Sequence, residues 1–333
     1  MLSSLTIYHY IAIFSAAAVS FLLSPLCRRL AYIIGAIDVP LDSRRMHRAP
    51  IPRAGGIAVF FAFFITLALS DYDIPVGIFV GGTIMFAAGL CDDILRLSPI
   101  VKLLCQSVCA TVTLAVSSST LVPSDADPIY WIFAFFWIVL LSNAFNLIDG
   151  LDALCTRVAA VSAVCIFLIS GDGASLVLAA AAIGFLPFNL HPAKMFLGDS
   201  GAMFLGYALS LGSLRLLALD RDVSSLLSLL LVFAFPLTDT ALAFLRRLLT
   251  KGSPFAPDRL HLHHRLVDSG LTHPAASRLL VLFSAALGGI GVIAFISEAN
   301  NVLFCCISLT ALAALCILAS FKKIRPDSLR SDR

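Results

Sequence analysis

Eleven apolar runs, each bounded by charge, glycine or proline, divide this chain and decide what it can fold into. They fall near 8–27, 54–70, 74–91, 100–119, 129–148, 154–170, 174–190, 201–219, 224–248, 278–297 and 302–321. A helix of about 20 apolar residues crosses the hydrocarbon of a bilayer, and only helices or closed barrels satisfy their backbone there. The runs therefore predict an all-α polytopic membrane protein with about 11 transmembrane helices. Composition agrees, since 59% of the 333 residues are apolar and 13% charged, against roughly 25% charged in soluble domains.

Lysine and arginine collect in cytoplasmic loops, so their distribution orients the bundle. Alternate connections carry six, two, one, one and six of them, and the segment after the last run carries five more. Only Arg215 and Arg221 fall on the other side, where the connections otherwise carry acids such as Asp71, Asp73, Asp125, Asp127 and Glu298. The expected topology has the N-terminus outside and the C-terminus in the cytoplasm. The first run has no basic residue before it and Arg28 and Arg29 after it, the pattern of an uncleaved anchor rather than a signal peptide. Residues 1–321 read as one integral-membrane domain and 322–333 as a basic cytoplasmic tail near anionic lipid. The nine cysteines lie in apolar runs or at their inner edge, so free thiols are expected. The net charge of +3 follows from orientation and gives no support for nucleic-acid binding.

Ionisable groups at the edge of membrane segments are costly and usually functional, and four clusters stand out on the inner side. Asp92-Asp93 closes the third run, and adjacent carboxylates repel unless a cation such as Mg²⁺ sits there. A solvated helix end is the plainer alternative. Asn143, Asn146, Asp149 and Asp152 recur every third residue across the end of the fifth run, a spacing that puts neighbours on one helix face, with Gly150 ending the helix so that Asp152 turns back toward the same cavity; a helix-capping loop is the plainer alternative. A third stretch, Asn189 to Gly201, contains His191, Lys194, Phe196, Asp199 and Ser200, and there Asp199 is either a ligand or a helix cap. The fourth runs from Arg246-Arg247 through Asp258-Arg259-Leu-His261-Leu-His263-His264-Arg265, an anion-binding surface by its cations. Its histidines admit a zinc site, but no cysteine lies near them. The first inner loop adds Arg44, Arg45, Arg48 and Arg53 beside Gly55-Gly56, where backbone can approach a ligand. Asp239, inside the ninth run, faces either a cavity or a helix–helix hydrogen bond. Acids for a metal, cations for phosphates and apolar walls for a lipid tail, all on one membrane face, suit phosphoryl transfer.

In this order the motifs Pro-Arg-Ala-Gly-Gly (52–56), Asp92-Asp93, Asn-Ala-Phe-Asn-Leu-Ile-Asp-Gly-Leu-Asp (143–152), Met-Phe-Leu-Gly-Asp-Ser-Gly (195–201) and Ser-Pro-Phe-Ala-Pro-Asp-Arg-Leu-His-Leu-His-His (253–264) resemble the polyprenyl-phosphate N-acetylhexosamine-1-phosphate transferases, glycosyltransferase family 4. The last motif looks like the WecA branch rather than the MraY branch, and Ala153 stands where the family often has glycine. The resemblance implies transfer of GlcNAc-1-phosphate from UDP-GlcNAc to undecaprenyl or another polyprenyl phosphate, with UMP leaving. That step would begin a lipid-linked envelope glycan on the cytoplasmic face of a bacterial inner membrane. It implies Mg²⁺, with Mn²⁺ as a substitute, held at Asp199 with Asn146 beside it. Asp92 or Asp93 matches the acid that deprotonates the lipid phosphate, and His261, His263 and His264 complete the catalytic set. Asp149 lies at the metal and diphosphate, Arg48, Asp152, Asn189 and Phe196 match uracil-holding positions, and Lys102 and Arg247, with the three histidines, match positions near the diphosphate and the lipid phosphate; Arg53, read from the first loop's cations alone, is a further phosphate-binding candidate. Another UDP-N-acetylhexosamine donor and, in a different class, a membrane transporter are the alternatives. A homodimer is compatible with the sequence, though no feature of it marks an interface.

Overall fold

The computed structural model describes residues 7–39, 49–70, 72–249 and 261–297. Arg48, most of the 253–264 motif, the run at 302–321 and the tail at 322–333 lie outside the described residues. The chain forms α1 (Ile7–Ile34), the two-residue strands β1 (Ile37–Asp38) and β2 (Ile51–Pro52), α2 (Gly55–Ala68), α3 (Val76–Leu95), α4 (Pro99–Leu121) and α5 (Pro128–Ile148). It continues through α6 (Leu154–Ser170), α7 (Gly173–Asn189), α8 (Gly198–Leu219), α9 (Val223–Val232), α10 (Ala234–Leu249), α11 (Leu262–Asp268) and α12 (His273–Ile296).

The first ten apolar runs each coincide with a helix, or at 224–248 with a pair. Six helices, α1, α3, α4, α5, α8 and α12, are long and apolar enough to cross a membrane, and the pair α9–α10 makes a seventh if counted as one span. The helices α2, α6 and α7 have 14, 17 and 17 residues. The protein is thus an all-α, multi-pass membrane protein with six or seven spans among the described residues. Ten of the eleven apolar runs expected to cross the membrane are thus helical, and the eleventh lies outside the described residues.

The run at 224–248 is corrected by the structure, because α9 and α10 meet at 78° instead of forming one rod. Pro236 supplies the reason: it has no N–H for the carbonyl of Val232, and α9 stops there. Pro236 falls in the first turn of α10, where a missing N–H costs little. The freed Val232 carbonyl receives the Ser162 hydroxyl at 3.5 Å.

Helix contacts follow residue size. In α1 the buried positions are Ala12, Ala16, Ser20, Ser24, Cys27 and Ala31, one small residue every three or four, and they let α1 lie close to α2 and α7. Phe14, Leu22 and Ile33 point outward, as suits a lipid-facing side. The most buried spanning helix is α8, enclosed by α2, α3, α5 and α6. Phe204 on α8 meets Phe60, Phe63 and Phe64 of α2, and Phe60 stacks on Phe86 of α3 at 4.3 Å. The described cysteines 27, 91, 105, 109, 155 and 165 are free thiols, as expected.

The described residues of the inner clusters gather at one end of this bundle. At the opposite end the two cations that broke the charge pattern are paired with acids: Arg215 with Asp172 at 3.4 Å and Arg221 with Asp125 at 2.6 Å.

Candidate active site

The site begins with a backbone zipper between two of the sequence motifs. The N–H of Phe196 donates to the Pro52 carbonyl at 2.8 Å, Gly55 N–H to Phe196 O at 3.0 Å and Gly56 N–H to Leu197 O at 2.8 Å. A β-carbon on Gly56 would overlap the backbone of Gly201, so this position demands glycine for close approach. The zipper sets the start of α8 beside the start of α2, and there Asp199 emerges.

The adjacent aspartates of α3 divide their work. Asp93 accepts the backbone N–H groups of Asp199 and Ser200, at 2.9 and 3.0 Å, and so caps α8 from a neighbouring helix. Asp92 instead accepts from Lys102 Nζ at 2.8 Å, and the same ammonium reaches Asp199 Oδ2 at 2.9 Å. Two carboxylates from separate helices thus converge on one cation carried by a third. One turn along α4, Gln106 exchanges amide hydrogen bonds with Asn143 of α5, at 2.6 and 3.3 Å, fixing Lys102 against that helix.

At the far end of α5 the chain turns. Helix α5 ends at Ile148, two residues before Gly150, and Asp149 is its C-cap. Burial, and then the charge of Asp199, pushes the Asp149 carboxyl up to about 8. Asp152, in the following turn, pairs with His191 Nδ1 at 2.7 Å and accepts the Ala193 N–H at 3.1 Å. Its carbonyl takes the Ser277 hydroxyl at 3.1 Å, and Arg157 donates to Ser277 at 2.7 Å, so α6 and α12 both brace this turn. Asn189 is buried, donating to the Met195 carbonyl at 3.1 Å and accepting from Thr156 at 2.8 Å. His263 packs against Gly150, where any β-carbon would strike the imidazole. Enclosure, and then the charge of His264, holds His263 down at about 3, so the ring is neutral.

These elements surround a cavity of about 860 Å³. Of the expected residues, Arg53, Asp149, Asp152, Asn189, Phe196, Asp199 and His264 line it. Lys102 and Asp92 stand behind Asp199, and Asp93 is engaged at the α8 backbone. Asn146 is half-buried one turn before Asp149, His261 and His263 are buried, and Arg247 lies in the last turn of α10, all outside that wall. Arg48 is outside the described residues. The wall also contains Arg28, His191 and His273, which sequence reasoning did not assign. His191 sat inside the third cluster, the stretch from Asn189 to Gly201, and its position two residues after Asn189 was the available signal. Arg28 and His273 come from helices whose approach no motif records.

Fold and site together define a multi-pass membrane protein with a polar cavity at one end of its helices, walled by both carboxylates and cations. Comparison with known proteins makes the class specific. Residues 75–217 match the model of glycosyl transferase family 4, a stretch that holds every expected site residue from Asp92 to Asp199. A probable undecaprenyl-phosphate N-acetylglucosaminyl 1-phosphate transferase of Bacillus subtilis is 36% identical over 275 residues, 76% of this chain and 75% of the relative. An undecaprenyl-phosphate alpha-N-acetylglucosaminyl 1-phosphate transferase of Thermotoga maritima is 35% identical over 252 residues, 74% of this chain and 78% of the relative. A decaprenyl-phosphate N-acetylglucosaminephosphotransferase of Mycolicibacterium smegmatis is 34% identical over 342 residues, covering 87% and 81%. The chain belongs to glycosyl transferase family 4.

Proposed function

We propose that this protein transfers N-acetylglucosamine 1-phosphate from UDP-N-acetylglucosamine to a polyprenyl phosphate, releasing UMP, on the cytoplasmic side of a bacterial inner membrane. The carrying observation is the meeting of Asp92 and Asp199 on one cationic point beside a cavity lined by Arg53, Lys194 and His264. Relatives named for N-acetylglucosaminyl 1-phosphate transfer to undecaprenyl phosphate support the reading of donor and acceptor.

Among the described residues no three His, Cys, Asp or Glu side chains form a metal site. Two carboxylates converging on Lys102 nevertheless fit Mg²⁺, which characteristically takes one or two protein carboxylates and completes its shell with water and substrate phosphate. Asp199 and Asp92 would hold the ion, with Asp149 and Asn146 nearby. Bound there, Mg²⁺ would neutralise charge on the diphosphate.

The chain's own groups then have distinct tasks. The acid pair Asp92-Asp93 supplies the acceptor for the proton of the lipid phosphate. An oxygen of the deprotonated lipid phosphate forms a bond to the sugar-linked phosphorus, and the bond from that phosphorus to the UMP oxygen breaks. Arg53 and His264 face the negative charge of the diphosphate, while Asp152, Asn189 and Phe196 hold the base. A single displacement suffices, since a positioned phosphate nucleophile needs orientation and charge neutralisation more than covalent help.

The direct test supplies UDP-GlcNAc labelled in the sugar and undecaprenyl phosphate to purified protein, then follows label into lipid. Label should enter the lipid phase with Mg²⁺ present, cease with EDTA and resume when Mg²⁺ is restored. Incorporation unaffected by EDTA would remove the metal from the account.

A further inference from the structure

Asp239 does not line the cavity; it joins α10 to the start of α11. It lies on α10, three residues after Pro236, and is 1% exposed. Its Oδ2 is 2.7 Å from Nδ1 of His261, and its Oδ1 accepts the Leu262 N–H at 2.7 Å. A carboxylate at that depth is tolerated because both oxygens have donors. With Asp239 as the acceptor, Nδ1 of His261 donates to the carboxylate, and that bond fixes which way the ring is turned. The His261 ring lies parallel to that of His263, 5.6 Å away, and His263 in turn rests on Gly150 beside Asp149, while His264 lines the cavity. One acid on α10 therefore fixes where the three-histidine face begins and how the ring of its first member is turned.

We propose that Asp239 is a positioning residue for the transfer reaction, holding His261 and the start of α11 so that the histidine face is presented to the α5 end of the cavity. The proposal rests on the transferase reading above. D239N keeps the size of the side chain but exchanges one acceptor for a donor, so it cannot serve both the His261 and Leu262 N–H groups. In an acid–imidazole pair such an exchange leaves geometry largely intact and inverts the tautomer.

The experiment measures kcat and KM for UDP-GlcNAc in wild type, D239N, H261A and the double variant, each checked for folding by thermal unfolding in detergent. D239N should lower kcat at least tenfold with KM within twofold, and the double variant should be no more than twofold slower than H261A, because the acid acts through that ring. Wild-type kcat in D239N, or an equal further loss on the H261A background, would overturn the proposal. If D239N does not fold, D239S, which keeps a hydroxyl acceptor near Leu262, takes its place. If that also fails to fold, Asp239 is a clamp for the bundle and the proposal fails. Wild type that turns over no UDP-sugar would instead sink the transferase reading, and this proposal with it.

Discussion

Lys102 stands between Asp92 and Asp199 at 2.8 and 2.9 Å, and this arrangement ranks what substitutions at the site should do. Replacing it with methionine leaves two carboxylates facing each other. K102M should lose at least 100-fold in turnover, on the order of 3 kcal/mol of barrier. It should also melt lower than wild type without metal and recover when Mg²⁺ is added, since the ion would take the place of the ammonium. No response to Mg²⁺ would argue against a cation site there. D199N should abolish Mg²⁺-dependent turnover, and near-normal activity would refute the metal assignment. H263A should cost at least tenfold, about 1.4 kcal/mol. His263 also predicts a pH dependence. Its folded value near 3 lies below the ordinary histidine value, so the unfolded chain binds the proton more readily in between. The corresponding stability is present above about 6.5 and is lost as pH falls toward 3. H263Q should therefore lose less melting temperature than wild type between pH 7 and 5, and parallel profiles would contradict the assignment. Much of this site was legible, because polar residues at three-residue spacing mark the end of α5, and the turn there carries Asp149 and Asp152 to one cavity wall. Which of Asp92 and Asp93 faces the cation was not, for that depends on where α8 begins relative to α3.

The helices show the same division. Apolar runs predicted where α1 to α8 and α12 lie, since hydrophobic length is a local property of the sequence. The 78° break between α9 and α10 was missed although Pro236 was in view, because a proline kinks, ends or starts a helix according to the neighbours that satisfy its backbone. Nor did periodicity announce the α2–α8 contact, which depends on Gly56 lying against Gly201. G56A should lower the melting temperature by several degrees and reduce activity with it. On α12, Gly289 has open space where a β-carbon would go, so G289A is the matched control and should leave stability unchanged or slightly raised. The reverse order of the two variants would show that the zipper does not hold α8 in register.

Charge is separated between the two ends of the protein. Cations and functional acids share one end of the bundle, while at the other Arg215 and Arg221 are offset by Asp172 and Asp125. The expected orientation therefore has no uncompensated exception in the described residues. In a cysteine-depleted background, D125C should react with a membrane-impermeant thiol reagent added outside intact cells and S269C only after the cells are opened. The opposite pattern would invert the topology and put the cavity away from cytoplasmic nucleotide sugars. The most direct measurement is UMP release by purified protein in detergent, with undecaprenyl phosphate, Mg²⁺ and a panel of UDP-sugars. Release with UDP-N-acetylglucosamine and not with the other sugars is the predicted result. Folded protein that releases UMP from none of them would contradict the account at its centre.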